Sequence, residues 1–147
     1  MRHHILLIIH LITATIWVGG HLILLIRYVP KSLKLKKIYP INNFRKNFEP
    51  IGMPSLIILF FTGVLLANDY DITYTKWFSF NGGIETIISL KLFLFLITII
   101  LALSAVKFIF PNLKGKPTFL LIVFITIVTL IATTMLILGS FVRLGGF

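Results

Sequence analysis

The chain contains no cysteine and very few acidic residues. Its 147 residues include four Asp and Glu against fourteen Lys and Arg. Without cysteine there can be no disulfide, thiolate nucleophile, iron–sulfur cluster or cysteine-type zinc site. The sequence also lacks a Walker loop, a glycine-rich dinucleotide motif, a Ser/His/Asp set and paired carboxylates. These absences leave soluble-type hydrolase chemistry without support.

Charge of either sign is scarce, and apolar residues dominate. Hydrophobic residues make up 58% of the chain and charged residues 12%, whereas an ordinary soluble domain has about 25% charged residues. A soluble protein of this size could not bury so much apolar surface, because the buried fraction falls as the chain becomes shorter. Lipid can solvate that surface instead, so the composition indicates an integral membrane protein.

Four apolar runs are the basis of the predicted fold. We predict transmembrane helices over about residues 5–26, 51–67, 87–106 and 119–142, since roughly 20 residues cross a bilayer core. A cleaved signal peptide is the alternative for the first run, but that run is long and has no clear A-x-A site. The prediction is an all-α, antiparallel four-helix membrane bundle that forms a single domain, 1–147.

The distribution of positive charge between the runs predicts the orientation in the membrane. Seven Lys and Arg lie in the first connection and three in the third, whereas the second has one, Lys76, beside three acidic residues. Positively charged connections stay in the cytoplasm, so we expect both termini outside, in a bacterial inner (cytoplasmic) membrane. Because the net charge of +10 lies between apolar runs, the lipid bilayer explains it better than nucleic acid does.

All four histidines lie in or just before the first predicted helix. A helix turns by about 100° per residue, so His10, Trp17 and His21 return to nearly the same face. Histidine within a membrane is costly and usually faces the bundle interior or a functional cavity. We therefore predict that these three residues form a buried stripe, whereas His3 and His4 are expected to be solvated at the interface. In the alternative interpretation the stripe only makes interhelical hydrogen bonds.

The two membrane histidines cannot share one metal ion, because they lie roughly 16 Å apart along the helix axis. The antiparallel topology places Met53 near the level of His21, and Lys91 and Met135 near the level of His10. Histidine and methionine are ligands for Cu(I) and for heme iron, although a lone Met more commonly fills gaps in a core. Since the other helices contain no histidine, a bis-His heme site would need a second chain, as in a homodimer.

Lys91 is the one charge inside the third apolar run. It can snorkel to the interface, pair with Glu85, or hold an acidic group of a cofactor. Glu85 and Lys91 are six residues apart, so on one helix their side chains lie on different faces. A propionate or another acidic group of a cofactor is therefore the favoured partner of Lys91. Gly19 and Gly20 permit close approach of a helix or of a flat ring, and helix packing is the favoured explanation.

Three segments resemble the copper-resistance protein D (CopD) domains. Residues 10–20 read HLITATIWVGG, which resembles the first-helix pattern of a His, a Trp seven residues later, and Val-Gly-Gly. Residues 61–67, FTGVLLA, resemble the second-helix Thr-Gly pattern, and Leu90-Lys91-Leu92 resembles the Leu-Lys pair that opens the third helix. The match spans about residues 5–104. The resemblance implies copper handling, by uptake or tolerance, with His10 as the functional histidine.

The same segments are similar to the HemJ-type protoporphyrinogen IX oxidases, small four-helix membrane proteins thought to carry heme b. That resemblance also implies His10, but the first helix of those proteins continues into a Pro-Arg pair. Residues 21–27 here read HLILLIR, without Pro before Arg27. In such an oxidase, electrons and protons would pass from a porphyrinogen to a quinone.

The sequence thus leaves three hypotheses, and whether the protein is an enzyme stays open among them. The first is a CopD-like protein that binds heme b or a copper ion for copper handling or membrane electron transfer. The second is a HemJ-like oxidase with a porphyrin and a quinone as partners, and the third is a structural subunit without a cofactor. The candidate cofactor-binding residues are His10, Trp17, Lys91, His21 and Met53, with His10 and His21 as the metal ligands. His10→Ala is expected to abolish cofactor binding, whereas His3→Ala and His4→Ala should leave it intact.

Overall fold

The computed structural model describes residues 1–146, and this part of the chain contains four long helices. Helix α1 spans Arg2–Leu35, α2 spans Tyr39–Asn68, α3 spans Gly83–Asn112 and α4 spans Phe119–Arg143. All four are long and apolar enough to cross a membrane, and residues 1–146 include no β-strand. The predicted all-α, four-helix architecture is therefore confirmed.

The helices extend well beyond the apolar runs at one end of the bundle. The prediction ends the first helix at residue 26 and begins the second at residue 51, but α1 continues to Leu35 and α2 begins at Tyr39. The end of an apolar run indicates where the chain leaves the lipid, but the helix can continue beyond that point, because Lys and Arg are good helix formers. Val29 and Ser32 are buried in the extension of α1, so packing against neighbouring helices supports it.

Two helices widen just before a proline near their carboxyl ends. α1 has a π-helical turn over Leu24–Tyr28 ahead of Pro30, and α3 has one over Ala105–Ile109 ahead of Pro111. Proline has no N–H, and its ring clashes with the carbonyl four residues earlier in a regular helix. A wider turn accommodates the ring, so both helices can continue past the apolar boundary.

α1 is the central element of the bundle. It packs along α2 and α4, and α3 packs along α4, whereas α2 and α3 meet in a stacked pair of rings, Phe60 and Phe95. The end formed by the α1–α2 and α3–α4 connections is called the Lys-rich end below. A core cluster there joins all four helices through Val29, Ile38, Ile41, Ile109, Leu121 and Ile125. A second cluster, of Trp17, Val18, Leu56 and Ala132, fills the middle of the bundle.

The opposite end, called the terminal end, holds the N-terminus and the α2–α3 connection. There the side chains of Arg2 and His3 both bond the carboxylate of Asp69, which directly follows α2; His3 Nδ1 lies 2.8 Å from Oδ2. The hydrogen bond from His3, together with the charge of Arg2, lowers the pKa of Asp69. His3 and His4 are both exposed, as expected for residues at the interface, and His3 in addition bonds an acid that is distant in sequence.

Candidate cofactor site

His10 bonds a side chain on the neighbouring helix. Its Nδ1 lies 2.8 Å from Oγ1 of Thr62 on α2. Thr62 is buried, and its hydroxyl donates to the carbonyl of Ile58 one turn earlier, at 2.7 Å. Because that hydroxyl proton is already used, Thr62 accepts the bond, and Nδ1 carries the ring proton. The neutral imidazole of His10 therefore has its lone pair on Nε2, the nitrogen left to bind a metal.

Glycines lie beside both His10 and Lys91. A Cβ on Gly63, the residue after Thr62, would lie 3.4 Å from Cε1 of His10. A Cβ on Gly139 of α4 would lie 3.5 Å from Nζ of Lys91. Both polar side chains thus lie against the backbone of a neighbouring helix, and an alanine Cβ at either glycine would make ordinary van der Waals contact with them.

Lys91 brings a basic group within electrostatic reach of His10. It is partly buried on α3, and its Nζ makes no hydrogen bond to any of residues 1–146. The carboxylate of Glu85 accepts a hydrogen bond from Ser79 instead of pairing with Lys91. An ammonium without a partner is costly inside a membrane, so an acidic ligand would remove that cost.

His21 lies in an aromatic cluster, closer than His10 to the Lys-rich end of the bundle. Its Nδ1 lies 2.9 Å from the carbonyl oxygen of Trp17 on its own helix. The imidazole centroid is 4.4 Å from the Trp17 ring and 6.1 Å from the Phe48 ring, which is nearly perpendicular to it. Phe48 in turn stacks on Phe44, and Phe44 contacts Tyr28. His21 is therefore hydrogen-bonded within its own helix and enclosed by the protein's own rings.

Phe48 occupies the space beside Gly20. A Cβ on Gly20 would overlap the Phe48 ring, and a Cβ on Gly52 of α2 would lie 2.5 Å from the same ring, whereas Gly19 has nothing within 4 Å. Close packing, the favoured explanation of the Gly19-Gly20 pair, is thereby confirmed for Gly20 and is not seen at Gly19. An aromatic side chain of the protein already lies where a flat cofactor ring could have approached this glycine.

Of the predicted buried stripe, the structure buries Trp17 and leaves His10 and His21 half-buried, and it divides the three residues between two levels. Trp17 is 8% exposed, and it contacts His21; among residues 1–146 it has no ring contact with His10. Met53, expected at the level of His21, is 49% exposed. It follows the buried Gly52 by one residue, a turn of about 100° that places it on the outer surface of α2. The structure thus brings Lys91 to His10 and Trp17 to His21, and it leaves Met53 outside the interior.

Sequence reasoning missed three residues that define the two levels. These are Thr62, which bonds His10, Gly139, which contacts Lys91, and Phe48, which covers His21. Only the Thr62-Gly63 pair carries a signal in the sequence, a hydroxyl beside a glycine in an apolar run, and helix packing alone also explains that pair. Gly139 and Phe48 are identified only by their three-dimensional proximity to the polar residues.

No family model, no curated protein and no solved structure matches this chain. Residues 1–146 contain no group of three or more His, Cys, Asp or Glu placed to hold a metal ion. A bare ion at His10 would meet one imidazole, whereas heme would bring its own nitrogen donors and would need fewer ligands from the protein, with His10 as the residue that would hold it.

Proposed function

We propose that this chain is a CopD-like integral membrane protein that binds heme b within its bundle through His10, for membrane electron transfer or copper handling. The observation that carries the proposal is the hydrogen bond between His10 Nδ1 and Thr62, which leaves Nε2 as a neutral ligand nitrogen. Metal-binding histidines almost always have the other ring N–H held in this way. The chemistry that heme would supply when bound is one-electron transfer.

Lys91 supports a cofactor that carries carboxylates. Its Nζ is unpaired among the described residues and within electrostatic reach of His10. A heme propionate would give this group the charged acceptor it lacks. Because α2 and α3 contact each other little, the bundle is open to lipid on that side, from which an apolar macrocycle can approach.

A copper ion is the alternative cofactor, and the donor set supports it less well. Cu(I) takes histidine and methionine ligands, but Met53 faces outward and His21 lies on a different level from His10. A copper site at His10 would need further ligands from a second copy of the chain, as in a homodimer.

The visible absorption spectrum and the metal content of the purified full chain test this proposal. A Soret band, with heme b in stoichiometric amount, is the expected result. Copper in stoichiometric amount without heme would support the copper alternative. A protein that holds neither, after expression with ample heme and copper, would overturn both and leave a structural subunit.

The second candidate function is that of a HemJ-like oxidase. Two features favour it. Lys91, within electrostatic reach of His10, could bind the propionates of a porphyrinogen. The unprotonated nitrogen of His10 could accept the protons that must be removed from the porphyrinogen. Membranes containing the chain should then oxidise protoporphyrinogen IX when a quinone is supplied. Lys91→Met should abolish that activity, and activity equal to that of control membranes would exclude the oxidase.

For the orientation, we propose that the Lys-rich end faces the cytoplasm of a bacterial inner membrane and that both termini lie outside. The distribution of Lys and Arg supports this arrangement. Reporter fusions at Lys36 and Lys76 are the test. Cytoplasmic activity at Lys36 and periplasmic activity at Lys76 are expected, and the reverse pattern would contradict the proposal.

A further inference from the structure

Two basic connections that are far apart in sequence meet at the Lys-rich end. The backbone N–H of Ile38, in the α1–α2 connection, donates to the carbonyl of Gly115, in the α3–α4 connection, at 3.0 Å. Exposed lysines flank this bond on both sides: Lys36 and Lys37 on one chain segment, Lys114 and Lys116 on the other. These four residues are called the lysine cluster below. The fold thus assembles a concentration of positive charge that neither connection has alone.

Residues 1–146 provide no acidic partner for the lysine cluster. The chain has four acidic side chains, and three of them, Asp69, Asp71 and Glu85, lie at the terminal end. The fourth, Glu49, pairs with Arg45 on its own helix at 3.5 Å. Ammonium groups held close together repel one another, so an anion from outside the chain is the natural partner for this end of the bundle.

The surroundings of the lysine cluster are apolar, which identifies the kind of anion. Leu35 is 51% exposed and Phe119 is 82% exposed, and both are close in sequence to lysines of the cluster. A groove of about 270 Å³ lies between the end of α3 and the start of α4. Its lining includes Phe108, Leu113, Thr118 and Leu120, so it begins next to Lys114. A soluble anion would leave these apolar groups in water, whereas a phospholipid would cover them.

We propose that the lysine cluster and this groove together form a binding site for an anionic phospholipid. The lysine cluster binds the phosphate, and one acyl chain lies in the groove between α3 and α4. Anionic headgroups attract basic residues at a membrane surface by about 1 kcal/mol per Lys or Arg, and the four lysines act on the same headgroup. This site is independent of any cofactor at His10, since it lies at the Lys-rich end and shares no residue with the cofactor site.

Native mass spectrometry of the full chain in neutral detergent measures the binding directly. The probes are phosphatidylglycerol and phosphatidylcholine with the same acyl chains. We expect phosphatidylglycerol to be retained and to bind at least tenfold more tightly than phosphatidylcholine. Equal affinity for the two lipids, or release of phosphatidylglycerol by millimolar inorganic phosphate, would overturn the assignment to an anionic lipid.

Paired variants separate a defined site from a general charge effect. Removing two charges with Lys114→Gln and Lys116→Gln should weaken phosphatidylglycerol binding by about thirtyfold. The matched control, Lys31→Gln with Lys46→Gln, removes the same charge from the same end outside the lysine cluster and should change the affinity less than threefold. Equal losses in the two double variants would show a diffuse field and overturn the site. Circular dichroism verifies that both variants keep their helices.

The groove has its own matched pair on α4. Leu120 lines the groove and Leu130 does not, and each is 60% exposed. Leu120→Trp should fill the groove and reduce the retention of phosphatidylglycerol, whereas Leu130→Trp should not. If Leu120→Trp binds the lipid as the wild type does, the acyl chain does not lie in this groove, and that part of the proposal is wrong.

Discussion

His10 and His21 lie on the same face of the same helix, yet their surroundings differ in kind. His10 bonds a hydroxyl on another helix, lies against the backbone of Gly63 and is within electrostatic reach of Lys91. His21 bonds the carbonyl of Trp17 in its own helix and is covered by Trp17 and Phe48. Both rings carry a proton on Nδ1, so the tautomer does not distinguish them. The difference lies in what packs against each ring: the Gly63 backbone beside His10, and the aromatic rings of Trp17 and Phe48 beside His21.

This comparison distinguishes a histidine held within its own helix from one held by a side chain of another helix. A histidine bonded to its own backbone needs nothing from another helix, so aromatic side chains can pack around it. A histidine held by a side chain on another helix is oriented by the tertiary fold, which is the arrangement that positions a ligand. The predictions below test that contrast, in order of decreasing expected effect on the free energy of unfolding.

The largest effect is expected from adding one methyl group at Gly20. Gly20→Ala drives a Cβ into the Phe48 ring, which is confined by Gly52 and Phe44, and overpacking of this kind costs about 1–3 kcal/mol. Gly63→Ala, beside His10, should cost less, because its Cβ would meet the imidazole at 3.4 Å. Thermal unfolding in detergent measures both changes.

Gly19→Ala is the matched control for that comparison. Its Cβ would meet nothing within 4 Å, and replacing Gly by Ala in a helix gains up to about 1 kcal/mol. The variant should therefore be as stable as the wild type or more stable. If Gly20→Ala and Gly19→Ala behave alike, Phe48 does not pack against Gly20 as described.

Lys91 should have opposite effects on stability and on binding. Lys91→Met removes a basic group from the membrane interior, so the empty protein should gain on the order of 1 kcal/mol. The same change removes the proposed partner of a cofactor carboxylate, so the affinity for heme should fall. Unfolding of the empty protein and titration with hemin measure the two effects, and a variant that is less stable but binds heme normally would refute the assigned role.

Thr62→Val tests whether the hydrogen bond orients His10. The substitution keeps the shape but removes the hydroxyl, leaving the Nδ1–H of His10 without its acceptor at a cost of about 1 kcal/mol. Loss of such an orienting bond lowers metal affinity about tenfold to a hundredfold. Thr126→Val, whose hydroxyl bonds only the carbonyl of Ile122 in its own helix, should leave heme affinity unchanged. Equal heme titrations for the two variants would show that Thr62 has no orienting role.

The smallest effect concerns the terminal end of the helix that carries both histidines. Because the folded state lowers the pKa of Asp69, the stabilisation by its ion pairs is fully present above the ordinary Asp pKa of about 3.9. It is lost as the pH falls below that value towards the folded-state pKa. The Tm of wild type should exceed that of Asp69→Asn slightly at neutral pH, and the difference should vanish in strong acid. A difference that grows in acid would contradict the assigned bonds.

The sequence was sufficient to predict the number of long helices and their approximate positions, because a run of about 20 apolar residues matches the length of helix that crosses a bilayer core. The apolar pattern placed the end of α1 at residue 26, which is wrong. Residues 27–35, which include Lys and Arg, lie beyond the apolar run but are still helical. The sequence also placed His10, Trp17 and His21 on one face, because a helix has a period of 3.6 residues, although of the three only Trp17 is fully buried. It did not reveal that Trp17 covers His21 or that Thr62 bonds His10, because periodicity along one helix does not say which side chain of another helix lies opposite.

The central claim is that His10, and not His21, holds the cofactor, and heme content per chain measures it most directly. His10→Ala and His21→Ala are purified alongside the wild type, with His3→Ala and His4→Ala as controls that lie outside the site. The account predicts that His10→Ala loses the Soret band, while His21→Ala keeps most of it and the two controls keep all of it. Full heme content in His10→Ala together with its loss in His21→Ala would contradict the account.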